Sequence, residues 1–302
     1  MDSSQGRQKA GDDGASNRFA NPILFCPQDP SRMEISDLER QRALQIKSAV
    51  EFTPGLEPLT DYEYVQLAIV DQDNIESAVE RVQHFQTFRE ECGLSGTCEE
   101  FIHLIVQSVH LLPHFILSLS VHENCKCFVL ILDLEKFKDS AIKRPEEERC
   151  LLGGAYALLH AISPDFHSIR NGIYAIIECE GYDWNHFSRS NIQMRLWEET
   201  AAFYPINFRQ IKFFHTGLFA NLAVSRMRKF LQHDAHSKIQ MGCQFPPGRL
   251  DLAYARPSKQ FAQEMFLARM TQCLKTRFNH RKCFRLKTES PQGMPTATPA
   301  TD

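Results

Sequence analysis

Residues able to ligate metals or attack carbonyls are present but scattered. The tightest group is His122, Cys125 and Cys127, spaced His-x2-Cys-x-Cys. Imidazole and thiolate are zinc ligands, and a structural zinc site takes four of them in a tetrahedral array. The fourth would have to come from elsewhere, and the three straddle what reads as a hairpin turn, which favours a structural role. His233 and His236 can share one helical face as ligands, or stand as ordinary surface histidines. The phosphate-cradling GxxxxGK[ST] loop is absent, as are GxGxxG, GxSxG and HExxH. No nucleophile is paired with a base. The chain is therefore read as a non-enzyme, with no catalytic residue, no metal and no cofactor.

The elements that carry these residues follow from periodicity and punctuation. Ser36 can cap a helix over Asp37–Val50, Thr60 and Asp61 a short one over Tyr62–Val70, and Asp73 or Asn74 a third that closes at Gly93. Thr97 caps Cys98–Leu112, stopped by Pro113. Phe115–Val121 and Cys127–Leu134 read as two strands around the turn His122–Lys126. From there strands and helices alternate. A helix runs from Pro145 to Ile162, the apolar run Gly172–Cys179 is a strand buried on both faces, and Asn191–Tyr204 is a helix. Phe208–Phe214 is a strand, Phe219–Gln232 an amphipathic helix, and Lys238–Cys243 a short strand. A last helix covers Ser258–Arg277. The fold class expected is α/β, with a mostly parallel sheet flanked by helices and preceded by a small all-helical module.

The division expected is a mobile 1–32, a helical module at 33–95, a ligand-binding domain at 96–250, a C-terminal helix and basic stretch at 251–287, and a disordered tail at 288–302. The N-terminus lacks the apolar run of a signal peptide. No segment reaches the roughly 18 uninterrupted apolar residues of a spanning helix. The expected setting is cytoplasmic, and the 10 cysteines, irregularly spaced, read mostly as buried free thiols.

The formal net charge of −3 conceals a division. Residues 1–204 hold 18 Lys and Arg against 32 Asp and Glu, whereas residues 205–287 hold 16 against 3. An acidic part followed by a basic part points to an anionic partner for the basic one. Aromatic motifs interleaved with arginine are missing, so nucleic acid is not the expected partner. The reading that follows is an orientation, with residues 205–287 toward an anionic membrane. Lys275–Lys287, with six basic residues and no acid, either extends that surface or serves as a targeting or nucleic-acid patch.

On the helix from Phe219, residues Phe219, Leu222, Ala223, Met227, Phe230 and Leu231 form an apolar face. Arg226 falls inside that face, as a snorkelling stem, a core ion pair, or an anchor facing a polar group in a cavity. The block Phe203–Gly242 carries a Tyr-Pro pair, a strand of bulky apolar residues, a short link, this helix ending in basic-x-Phe-Leu, and a strand opened by Lys-Ile. It resembles the most recognisable block of the CRAL-TRIO lipid-binding family. Asn171-Gly172-Ile173 through Glu180-Gly181 is similar to the family's preceding strand, Phe115–Leu134 to its first hairpin, and Tyr64–Glu90 to its N-terminal helices. His215-Thr216-Gly217 stands where the family has Asn-x-Pro.

The resemblance implies a hydrophobic small molecule or lipid held in an internal pocket, released through a mobile gate helix and exchanged at anionic, phosphoinositide-containing membranes by transient association. Carried over by position, the pocket walls are Leu130, Leu132, Ile173, Ala175, Ile177, Ile211 and Phe213. The gate is Leu218–Leu231, with Phe219, Leu222 and Met227 also facing the pocket. The membrane patch is Arg209 and Arg228, supplemented by Lys212, Lys229 and Lys238. Two other readings of the same residues are a scaffold that binds membranes or proteins without transfer, and an α/β enzyme with an unrecognised site.

Overall fold

The computed structural model describes residues 30–72, 74–112, 116–121, 128–137, 142–199, 204–228, 238–243 and 259–286. Four helices come first: α1 (Asp37–Phe52), α2 (Asp61–Val70), α3 (Ile75–Cys92) and α4 (Cys98–Leu111). Each starts behind a side chain that accepts a first-turn backbone N–H, from Ser36, Thr60, Asn74 and Thr97 in turn. Those amides have no partner within the helix, so the caps decide where the helices begin. Gly93 ends α3 at φ 62°, in the left-handed region that favours glycine.

A five-stranded sheet follows, built from β1 (Ile116–Val121), β2 (Phe128–Asp133), β3 (Ile173–Glu178), β4 (Phe208–Phe214) and β5 (Ile239–Cys243). Its order is β1-β2-β3-β4-β5, with β1 antiparallel to β2 and the other neighbours parallel. The crossovers are α5 (Pro145–Ala161) with α6 (Phe166–Asn171), then α7 (Trp184–Ser188) with α8 (Asn191–Trp197), then α9 (Leu218–Met227). A final helix, α10, spans Lys259–Cys283. Because each crossover steps to the next strand in the same direction, the right-handed rule puts the crossover helices on one face of the sheet. The architecture is thus mixed α/β, as expected.

Two short helices were not expected. Ser163-Pro164 ends α5 as read, but Asp165 then caps α6 by accepting from the Ser168 amide. Asp183 likewise caps α7, accepting from Asn185 and His186. The helix expected over Asn191–Tyr204 keeps α-helical form only to Trp197 and widens into a π turn at 198–199. Gly154 marks the close approach of α4 and α5: a methyl group there would meet Ser108 Oγ at 1.7 Å and the Leu104 carbonyl at 2.9 Å.

One buried side chain joins three parts of the chain. Arg277, on α10, is 1% exposed. Its Nη1 donates to the Ser163 carbonyl at 2.6 Å and to Ser163 Oγ at 3.1 Å, just past the end of α5. Its Nη2 donates to Gln66 Oε1 on α2 at 2.6 Å, and the guanidinium lies 4.9 Å from the Tyr62 ring centre. Gln66 Nε2 passes the connection on to the Pro205 carbonyl at 2.7 Å. Farther along α10, Arg281 pairs with Glu63 of α2 at 3.2 Å. Within the basic C-terminal stretch Arg277 and Arg281 hold the helices together, whereas Lys275, Lys282 and Arg285 are exposed, and Lys287 lies outside the described residues.

His160 sits beside this junction, 3% exposed, with Nδ1 3.2 Å from the Tyr156 carbonyl and its ring edge-on to Phe101. Burial first, and the positive charges of Arg277 and Arg281 next, hold its pKa well below the ordinary histidine value. It is neutral when folded, whereas the unfolded chain takes up a proton below about pH 6.5. Its contribution is therefore complete above that pH and lost as pH falls, by up to about 1.4 kcal/mol per pH unit. Urea titrations across this range should show a falling midpoint for the wild type and a shallower fall for His160→Phe. A second expectation concerns the junction itself. Arg277→Met removes the donors to Gln66 and Ser163, although the Ser163 carbonyl keeps the Tyr62 hydroxyl at 3.1 Å, and it should lower the unfolding free energy by about 1–3 kcal/mol, measured by urea denaturation.

Candidate hydrophobic ligand site

Alternation along the strands sets one face of the sheet. Leu130, Ala175, Ile211 and Ile239 lie level across four strands, and Leu132, Ile177 and Phe213 form the next row. All are apolar, and α5, α8 and α9 cover them, as the buried clusters show. The cover is uneven. Over β4 and β5 it is tight, because Ala220, Ala223, Val224 and Met227 of α9 pack in one cluster with Ile211, Phe213 and Ile239. Over β2 and β3 a hollow of about 80 Å³ remains between the sheet, α5 and α8. That is several times the ~10–15 Å³ that admits one water molecule.

Five of the seven expected wall residues line this hollow: Leu130, Leu132, Ile173, Ala175 and Ile177. Ile211 and Phe213 do not. They are 0% and 1% exposed beneath α9 and fill their half of the core. Ala155, Leu158 and Leu159 of α5 form the opposite wall, with Leu196 and Trp197 of α8. Phe208 joins them although strict alternation from Ile211 would turn it away. A register irregularity between Ile173 and Tyr174 inserts Arg209 between two paired residues, which returns Phe208 to the inner face. A bulge of this kind leaves no mark in hydrophobic periodicity. Gln193 is the one amide among the lining residues, and an isolated Gln in a helix gives no signal of its own.

The gate expectation needs correcting in its details. Phe219, Leu222 and Met227 were expected to face the pocket, and none of them lines the hollow. The helix lies over β4 and β5, one strand away. Its buried arc is Ala220, Ala223, Val224 and Met227, so Leu222 turns outward. Leu218 is 69% exposed and Leu222 is 45% exposed. Arg226 follows them on the same exposed stripe, four residues on, so it is neither a core ion pair nor an anchor inside a cavity. Phe219 packs against Trp184, with ring centres 5.6 Å apart, and against Phe187. Lys229, Phe230 and Leu231 lie outside the described residues, as do His122, Cys125, Cys127, His233 and His236.

The turn into α9 is built on His215, whose φ of 47° is left-handed. Its Nδ1 is 2.8 Å from Glu178 Oε1, which holds the link between the ends of β3 and β4. Among the basic residues, Arg209 is exposed at the bulge, and Lys238 at the mouth of β5 donates to Asn207 Oδ1 at 3.1 Å. Arg228 is half-buried directly after α9. A crossover helix runs back against its strands, so Arg228 comes to the end where β4 and β5 begin, near Arg209 and Lys238. Lys212 does not join them. It pairs in register with Ile176 and Gln240 and projects from the opposite face of the sheet.

Cys92, Cys98, Cys150, Cys179, Cys273 and Cys283 are free thiols. Burial pushes Cys179 up to about 12 and Cys92 up to about 11, so neither is a thiolate at neutral pH. No helix among the described residues is long and apolar enough to cross a membrane. No protein-family model matches the chain, and no curated protein matches it.

The two faces of α9 differ in energetic weight. Met227→Ala should cost about 2–5 kcal/mol of unfolding free energy, because it opens a cavity under a side chain that is 1% exposed. Leu222→Ala should stay within about 0.5 kcal/mol. Equal effects in urea denaturation would mean that the helix is rotated from this arrangement.

Proposed function

We propose that this protein carries an apolar small molecule or lipid, in the manner of CRAL-TRIO-like carriers, and exchanges it at anionic membranes. The observation that supports the reading most is the hollow over β2 and β3, walled by Leu130, Leu132, Ile173, Ala175 and Ile177, where the family resemblance implies a ligand pocket. An apolar chain offers no polar atoms to satisfy, so aliphatic and aromatic walls suffice to hold it. Burial favours retention by about 0.8 kcal/mol per CH₂.

In this reading α9 is the movable wall. Leu132 and Phe208 both line the hollow and pack against the cluster beneath α9. Lifting α9 therefore extends the hollow across β4, and Ile211 and Phe213 then become the pocket walls that the family resemblance implies. The trigger is membrane contact. Leu218, Leu222 and Trp184 offer exposed apolar surface, and Arg226 and Arg209 offer charge for anionic headgroups, phosphoinositides included. Each such cation near an anionic surface contributes about 1 kcal/mol.

Organic extraction of the purified protein, followed by mass spectrometry, should recover an apolar compound in stoichiometric amount. A protein that is consistently empty and takes up nothing from donor vesicles would rule out the carrier reading. Arg209→Glu with Arg226→Glu should weaken binding to phosphatidylserine vesicles about fivefold per residue. Leu218→Asp with Leu222→Asp should slow ligand exchange between vesicles while leaving thermal unfolding unchanged. Vesicle binding with no exchange in the wild type would point to the scaffold instead.

A further inference from the structure

The hollow is apolar on nearly every side, yet a side-chain amide is built into its wall. Gln193 is 2% exposed, and it lines the hollow from α8. Its Oε1 accepts from the Tyr182 hydroxyl at 3.0 Å, and Tyr182 is itself 6% exposed. Its Nε2 is fully buried and has no hydrogen-bond partner. Buried amide donors are almost always satisfied, and one that is not calls for an explanation. Packing alone does not require an amide here, since Leu has nearly the same shape without the unmet N–H groups. The Tyr182 hydroxyl holds Oε1 and so leaves the N–H groups as the end that is free.

We propose that Gln193 is the polar anchor of the ligand: its Nε2 donates to a hydroxyl or carbonyl oxygen on an otherwise apolar molecule, and Tyr182 is the positioning residue that fixes the amide. This rests on the carrier reading and narrows it. The ligand is then an apolar compound with an oxygen, rather than a bare hydrocarbon. That oxygen sits beside α8, with the apolar remainder over Leu130, Ala175 and Leu158. A buried hydrogen-bonding group confers selectivity mainly by rejecting analogues that leave it unpaired.

The chain's own tryptophans make this testable. There are 2, of which Trp197 lines the hollow and Trp184 is exposed near α9. In a Trp184→Phe background, Trp197 fluorescence reports occupancy. The probes are dodecane and dodecanol, matched in chain and differing in one oxygen. The readout is the ratio of their dissociation constants, which cancels effects common to both probes in a given protein. The expected result is that Gln193→Leu shifts this ratio about tenfold in favour of dodecane. The Gln193→Leu, Tyr182→Phe double variant should do the same, and it removes the hydroxyl that the single variant strands. If both probes bind and the ratio is the same in wild type and variants, the anchor assignment is overturned while the carrier reading stands. If neither probe binds the wild type, the carrier reading falls and the anchor falls with it.

Discussion

A guanidinium taken out of water needs hydrogen bonds inside the protein, and the Nη1 and Nη2 groups of Arg277 find them in segments far apart in sequence. Its donors reach Ser163 at the end of α5 and Gln66 in the middle of α2, while its plane lies over Tyr62. Gln66 and the ion pair of Arg81 with Asp71 carry the link further. Gln66 donates to the Pro205 carbonyl, and Arg81 donates to the Tyr204 carbonyl. Both carbonyls lie just before β4. An apolar junction would tolerate sliding, because contact area is indifferent to direction. Directional bonds to a buried charge do not, so the helices, the end of α5 and the approach to β4 hold one mutual placement.

That rigidity gives the other half of the molecule a fixed reference. The sheet and α5 are held on the side of the Arg277 junction, whereas α9 is held mainly by its own apolar arc and by the short link through His215 and Glu178. The described α9 has one buried face and an exposed stripe that runs Leu218, Leu222, Arg226. Moving it would expose apolar surface, and the ion pairs seen among the described residues that fix α2 and α10 lie elsewhere. In the proposed exchange, movement would be concentrated where the covering layer is apolar, and at a membrane the apolar surface it uncovers would find a new apolar partner.

The strands and most helices were legible from the chain alone, because they rest on local rules. The near-continuous apolar run Gly172–Cys179 marked β3, capping residues marked the starts of α1 to α4, and Pro145 and Ser163-Pro164 bounded α5. What escaped was set by tertiary geometry. The bulge at Arg209 turns Phe208 inward and depends on register against β3. Leu222 was assigned inward because the whole apolar arc of α9 was taken as one face, yet the sheet below is wide enough to cover only Ala220, Ala223, Val224 and Met227 fully. The hollow could not be read at all. Wall residues such as Leu130 and Ile177 have the same types and spacing whether the space beside them is filled or empty, and Gln193 becomes conspicuous only when its amide is seen to be buried without a partner.

The charge division takes on a different meaning in three dimensions. The acidic N-terminal part and the basic C-terminal helix are partners of each other. Arg281 of α10 pairs with Glu63, the backbone N–H of Leu286 donates to Asp61, and Arg277 lies within reach of the same acidic helix. The last helix is thus drawn onto the first ones by one ion pair and by hydrogen bonds. The exposed basic residues are fewer than a count over residues 205–287 implies. Arg209 and Arg226 are exposed at the crossover through α9, and Lys275, Lys282 and Arg285 are exposed on and just after α10. The proposed orientation at a membrane would rest on Arg209 and Arg226 beside exposed Leu218 and Leu222, and not on the net charge of the segment that contains them.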